Sequence, residues 1–269
     1  MIIIKEIKRL VVKVGSSTIT YENGQINYRL VERLVRCMAD LRNRGIEVVL
    51  VTSGAIAAGL SRMGIKLSDR TRTIPERQAA SAVGQCGLIS MYDRLFAEYG
   101  QTIAQILITK DAIDDEKHRI NAENTIENLL SHGVIPVVNE NDTISTEELE
   151  DTVYLSFGDN DMLSAIVATL MKADLLVLFS DIDGFYTGDP KSNKDAVLIP
   201  VIETIDSDIE ALAGGKGSNR GTGGMATKIA AAKAATSKGI DMIIANGSNP
   251  EQLYDIIEGK AVGTRFVGV

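Results

Sequence analysis

Two lysines in unusual surroundings, with carboxylates and amides between them in sequence, are the residues of this chain best suited to chemistry. Lys13 lies inside the apolar run "RLVVKVG" (9–15). A cation there is costly unless it is paired or faces a ligand. Strand alternation turns its neighbours Val12 and Val14 to the opposite face, and Gly15 lets a ligand approach the backbone. Lys228 closes "GTGGMATK" (221–228), whose glycines precede the helix-forming run "IAAAKAATSKG". A glycine turn running into a helix N-terminus offers N–H groups and partial positive charge, which suits a phosphate. Between the lysines, "NENDT" (139–143) and "GDND" (158–161) supply Asp142, Asp159 and Asp161 with Asn139, Asn141 and Asn160. Carboxylates beside lysines can orient them or hold Mg2+. The same residue types also make helix N-caps and Asx turns.

"GTGGMATK" is not a Walker A loop, because Lys228 is followed by Ile229 and the GxxxxGK[ST] spacing is missing. It satisfies the GxGxxA variant of the dinucleotide fingerprint. That motif opens a turn after an apolar strand, however, and here "AGGKGSNR" precedes it. Two lysines, a glycine nest and a carboxylate organiser instead suit phosphoryl transfer, which depends on positioning and charge stabilisation. Neither His118 nor His132 falls in any of these clusters. A carboxylate acceptor, with a pKa of about 4.3, needs no base at neutral pH.

Such groups must be held by a scaffold, and the hydrophobic pattern supplies one. Apolar, β-branched runs at 9–15, 46–51, 102–109, 133–139, 175–180 and 242–246 read as strands. Helical spacing at 30–45, 75–100, 122–133, 161–174 and 225–238 falls between them. The strand–helix alternation predicts an α/β chain, a three-layer αβα sandwich around a mainly parallel sheet. Four polar clusters follow apolar runs, "KVGSS", "TSGA", "NENDT" and "SDIDG", and ligands of open α/β sheets bind at such strand ends. The helix at 75–100 carries Ala79, Ala80, Ser81, Ala82, Gly84 and Gly87, small enough for close backbone approach. Its apolar face can serve a core or an interface.

Composition narrows the class. Net charge is -8, which speaks against a nucleic-acid partner. Cys37 and Cys86 have no CxxC spacing and fit helix patterns as structural residues. No apolar run approaches the length of about 18 residues that a membrane span needs, and "MIIIKEIKRL" lacks the core of a signal peptide. A cytoplasmic location is expected.

These motifs carry a resemblance. With "VVKVGSSTIT", "VVLVTSGAIAAG", "AASAVGQCGLI", "VIPVVNENDTIS", "FGDNDMLSAIVA", "SDIDGFYTGDP" and "GTGGMATK", the chain resembles the amino acid kinase family over essentially all of its 269 residues. The resemblance implies one domain spanning 1–269, its N-terminal part mainly binding glutamate and its C-terminal part mainly binding ATP. It implies transfer of phosphate from ATP to the γ-carboxylate of L-glutamate, giving L-glutamyl 5-phosphate, the first step of proline synthesis. Carried over by position, Lys13 and Lys228 stabilise the transferred group and Asp161 holds both. Ser53, Gly54, Asn139, Asp142 and Asn160 bind glutamate. Lys13, Ser180, Asp181 and the loop Thr222, Gly223, Gly224, Met225, Ala226, Thr227 and Lys228 bind ATP. Mg2+ is expected to bridge the phosphates, with no direct protein ligand. Proline is expected as a feedback inhibitor, and the protein as a homo-oligomer, a dimer or tetramer.

A same-fold acid kinase such as acetylglutamate kinase, or a non-catalytic amino-acid sensor, is the alternative. A sensor would be marked by degraded lysines, yet Lys13, Lys228 and Asp161 are all present. Three departures from the family pattern stand out. No PUA domain follows "GTRFVGV". The segment 146–157 is longer than in compact relatives and bears on proline sensing. Ser180 stands where Thr is common, with the hydroxyl kept.

Overall fold

The computed structural model describes residues 6–65, 73–109, 113–144, 160–190, 192–214 and 224–269. Strand β1 (Arg9–Val14) is central. The chain then runs through α1 (Ser16–Ile19), α2 (Tyr28–Asn43), β2 (Glu47–Thr52), α3 (Ala55–Arg62), α4 (Ile74–Ala97) and β3 (Ile103–Ile108). It continues through α5 (Glu116–Ser131), β4 (Ile135–Glu140), α6 (Asn160–Leu170), β5 (Leu175–Ser180) and β6 (Val201–Ile202). Helix α7 (Ser207–Ala213), α8 (Met225–Thr236), β7 (Asp241–Asn246), α9 (Gln252–Ile257) and β8 (Thr264–Phe266) complete it.

The strands form one sheet in the order β3-β4-β2-β1-β5-β7-β8-β6. Every pair is parallel except β7 with β8. From β1 the chain first builds outward through β2 and later returns to place β5 on the other side. That reversal opens a crevice at the carboxyl ends of the central strands. The registers Lys13↔Val51 and Lys13↔Leu178 set Lys13 one residue short of the end of β2 and two short of the end of β5, close to that crevice.

Two apolar clusters sandwich the sheet. Val12 and Val14 pack with Leu34, Met38, Leu88, Tyr92 and Leu253, under α2, α4 and α9. Val11 packs with Leu163, Val167, Ile229 and Ala232, under α6 and α8. The alternation expected along β1 is therefore present, and Lys13 shares its face with Val11 and α6 and α8. These buried β-branched strands, covered on both faces, give the three-layer arrangement that the pattern implied.

The differences from the sequence reading have local causes. Helix α5 begins well before 122, because Asp115 caps it by accepting from the His118 N–H. Helix α6 stops at Leu170 rather than 174, since Lys172 takes a left-handed φ of 50° that turns the chain into β5. Strands β6 and β8 were not anticipated, being too short for a periodic signal. Cys37 is buried in α2, but Cys86 lies on an exposed face of α4 and does not serve the core.

Candidate active site

Lys13, Asp161 and Lys228 meet above the crevice, although 215 residues separate the lysines in sequence. Asp161 lies in the first turn of α6 and is wholly buried. One carboxylate oxygen, Oδ1, accepts from Lys13 Nζ. The other, Oδ2, accepts from Lys228 Nζ at 3.0 Å and from Thr227 Oγ1 at 3.3 Å. Both lysines are about 95% buried, so the ion pairs sit largely out of water. Burial alone would push the Asp161 carboxyl up most strongly. Lys13 and then Lys228 overcome it and hold the group below its ordinary range.

Two ammonium groups thus converge at one point and concentrate positive charge there. An anionic phosphoryl group is the complement of that charge, in a setting where electrostatic interactions are strong. The geometry also explains why Lys13 is tolerated in a strand: its ammonium emerges at the carboxyl edge and meets a partner. A side-chain carbon at Gly15 would rest 3.6 Å from that ammonium and cover it.

Three helices begin at glycines at the carboxyl edge of the sheet. Gly15, Gly54 and Gly224 start α1, α3 and α8, and none of these helix starts is capped by a side chain. Gly54 has φ 94°, a conformation that L-residues avoid, and a Cβ there would approach Ile19 Cδ1 to 3.0 Å. Thr227 Oγ1 also donates to the Gly224 carbonyl at 2.8 Å, which pins the first turn of α8 beside Asp161. Met225, Ala226 and Thr227 form that turn, while Thr222 and Gly223 lie outside the described residues, as do Asp159 and the segment 146–157.

A second group of polar residues lies at the ends of β2 and β4. Asn160 is buried and donates through Nδ2 to the Thr52 carbonyl at 2.6 Å and to Asn139 Oδ1 at 3.0 Å. Asn139 Oδ1 also accepts from the Glu140 N–H at 2.9 Å. Ser53 Oγ lies 2.9 Å from Ser16 Oγ. Asp142 accepts from Ser81 Oγ at 2.6 Å, and burial pushes its carboxyl above the ordinary range. Asn160 and Asp161 are adjacent in sequence, so one helix start serves both polar groups. Ser180 ends β5, donates to Asp181 Oδ1 at 3.2 Å, and its carbonyl accepts from the Gly247 N–H at 2.8 Å.

Every described residue of the sequence-based site thus falls at the carboxyl edge of the sheet or in the helix turns that start there. Ser16, Ser81 and the Thr52 carbonyl join them; the sequence reading held Ser16 and Thr52 only as members of the clusters "KVGSS" and "TSGA", and Ser81 only as a small residue of the helix at 75–100. The missed signal for Ser81 was its recurrence with Gln85, Leu88 and Tyr92 at helical spacing, a polar residue on a core-facing stripe. Among the described residues no group of three His, Cys, Asp or Glu side chains is placed to hold a metal ion. Both oxygens of Asp161 are engaged by the two lysines.

The amino acid kinase family model matches residues 8–246. The chain belongs to the amino acid kinase family. Its similarity to curated members of that family is extensive. It is 53% identical to the glutamate 5-kinase of Clostridium perfringens (strain 13 / Type A) over 264 residues, covering 98% of this chain and 97% of that protein. It is 54% identical to the glutamate 5-kinase of Clostridium tetani (strain Massachusetts / E88) over 263 residues, covering 98% and 96%. Among solved structures, the UMP kinase of Bacillus anthracis shares the fold with a TM-score of 0.64 at 18% identity, over 98% of this chain and 97% of that one. The isopentenyl phosphate kinase of T. acidophilum does so with a TM-score of 0.61 at 20% identity, over 96% and 99%. At those identities the likeness is one of amino acid kinase fold alone.

Proposed function

We propose that this member of the amino acid kinase family transfers the γ-phosphoryl group of ATP to the γ-carboxylate of L-glutamate, giving L-glutamyl 5-phosphate. That is the activity named for relatives that align with nearly the whole chain. The observation that carries the chemistry is the buried Lys13–Asp161–Lys228 trio at the carboxyl edge of the sheet.

A glutamate γ-carboxylate oxygen attacks the γ-phosphorus, the bond to the ADP oxygen breaks, and the electron pair leaves with ADP. No proton has to be removed, because the acceptor is ionised at neutral pH. Lys13 and Lys228 stabilise charge on the transferred group, and Asp161 keeps both ammonium groups aimed at it. Ser53, Gly54, Asn139, Asp142 and Asn160 hold glutamate. Ser180, Asp181 and residues 222–228 hold the nucleotide. Mg2+ enters with ATP on its phosphates as part of the substrate, where it neutralises phosphate charge.

This division assigns the acceptor mainly to the N-terminal part of one domain and the nucleotide mainly to the C-terminal part. No helix among the described residues is long and apolar enough to cross a membrane. The reaction is read as the first step of proline synthesis in the cytoplasm. Feedback inhibition by proline and assembly into a homo-oligomer accompany the reading.

The test is ADP release by purified protein with ATP, Mg2+ and L-glutamate. Turnover with N-acetylglutamate and none with glutamate would reject the acceptor. No turnover with either, despite amino-acid binding, would favour a sensor.

A further inference from the structure

Helix α4 turns a polar stripe toward the sheet. Ser81, Gln85, Leu88 and Tyr92 recur at helical spacing, and all four are buried. Ser81 Oγ donates to Asp142 Oδ2 at 2.6 Å. Gln85 Nε2 donates to the Glu140 carbonyl at 3.3 Å. The Tyr92 hydroxyl lies 2.9 Å from Thr52 Oγ1. A single helix face therefore touches the exits of both β2 and β4, the segments that carry Ser53, Asn139 and Asp142. An apolar stripe would pack there without the cost of burying hydroxyls and amides. The polar groups are all directed at the strand ends.

The helix carrying this stripe has no slack. A Cβ on Gly59 of α3 would lie 1.7 Å from the Ala80 carbonyl oxygen, and one on Gly84 would lie 1.8 Å from that of Ala55. Helices α3 and α4 therefore cross at backbone contact, immediately beside Ser81. Helix α3 itself begins at Gly54, in the loop after β2. A rigid path runs from that loop through α3 and α4 to Ser81 and on to Asp142.

We propose that Ser81 is a positioning residue for the amino-acid acceptor. It holds one oxygen of the Asp142 carboxylate so that the other is presented to the substrate's α-ammonium group. It thereby sets affinity for the acceptor without acting on the phosphoryl group. This rests on the reading that Asp142 binds the amino acid. Two effects combine in Ser81: it fixes the carboxylate rotamer, and its hydrogen bond favours the charged form against burial. Among the described residues the groups facing Asp142 are Ser81 and Arg77, both from α4, and the Asp142 backbone N–H.

The experiment is steady-state kinetics on the full chain with MgATP and L-glutamate across pH. Ser81→Ala improves helix propensity and deletes one oxygen, so the variant folds. It should raise KM for glutamate about tenfold, as expected for loss of a hydrogen bond to a charged group. The values of kcat and of KM for ATP should stay within about twofold. The acid limb of kcat/KM for glutamate should move to higher pH, since the carboxylate loses a donor. Ser81→Thr keeps the hydroxyl and should restore most of the affinity.

An unchanged KM in Ser81→Ala, while Asp142→Asn raises it, overturns the inference and leaves the acceptor reading standing. Equal KM defects in the Ala variant and in a Thr variant whose urea midpoint matches the parent also overturn it, because the hydroxyl is then not responsible. Should Asp142→Asn itself leave KM unchanged, both the inference and the assignment of Asp142 fall.

Discussion

Asp161 has two tasks at once: it neutralises buried cations and it aims them. Its carboxyl is held below the ordinary range by Lys13 and Lys228 against the opposing effect of burial. A carboxyl depressed in the folded state stabilises the fold fully above its unfolded pKa of about 3.9. That contribution is lost as pH falls through the lower folded value. Asp161→Asn should therefore cost about 3–5 kcal/mol near neutral pH, because two buried ammonium groups would face a neutral amide. Urea titrations of both proteins should show this gap, and the gap should narrow below about pH 4. A difference that stays constant into strong acid would show that charge is not what the carboxylate contributes. Lys228→Ala addresses the chemical role instead. It should lower kcat by about 100- to 1,000-fold, with glutamate binding measured by calorimetry almost unchanged. Near-normal turnover would make Lys228 a structural partner of Asp161 only.

At the scale of elements, the crossing of α3 over α4 sets how the Ser81, Gln85 and Tyr92 face stands against the ends of β2 and β4. Gly59 and Gly84 are required there by close approach, since any Cβ would enter a backbone carbonyl. Gly84→Ala should destabilise the protein by about 1–3 kcal/mol through overpacking, visible as a lower urea midpoint. It should also raise KM for glutamate, because α4 must shift away from Asp142. Gly87→Ala on the same helix is the control. Its new methyl would meet only the Arg62 side chain near its flexible end, so helix propensity should dominate and the variant should be as stable as the parent or up to about 1 kcal/mol more stable. Equal effects of the two substitutions would mean that helix propensity, and not the crossing, sets the outcome.

At the scale of the molecule, the sheet reversal at β1 opens the crevice in which the proposed function seats both substrates. Lys13 comes from the central strand, Asn160 and Asp161 from a helix on one face, and Lys228 from the neighbouring helix on the same face. Ligand binding should tie these parts together. A non-hydrolysable ATP analogue at about 100 times its Kd should stabilise the fold by roughly 2.7 kcal/mol, with a corresponding rise in Tm. Glutamate added afterwards should raise Tm further. A protein whose Tm responds to glutamate but not to the nucleotide would contradict the assignment of residues 224–228 to ATP.

Sequence by itself determined the layers and picked out most of the residues that the fold gathers at the carboxyl edge of the sheet. β-Branched runs and helical spacing specify which segments become strands and helices, because burial follows local periodicity. A lysine inside an apolar strand and glycines before a helix are locally improbable enough to be read without a fold. Only the tertiary structure decided that Lys13 and Lys228 share a single carboxylate, since no local pattern encodes contact across 215 residues. It alone brought Ser81 to Asp142 across 61 residues. It also showed that Ala80 and Gly84 of α4 serve a crossing with α3, because backbone contact between two helices depends on where both are packed against the sheet. The short strands β6 and β8 belong to the same class: β8 forms on the edge of β7 and β6 on the edge of β8, which their own residues do not announce.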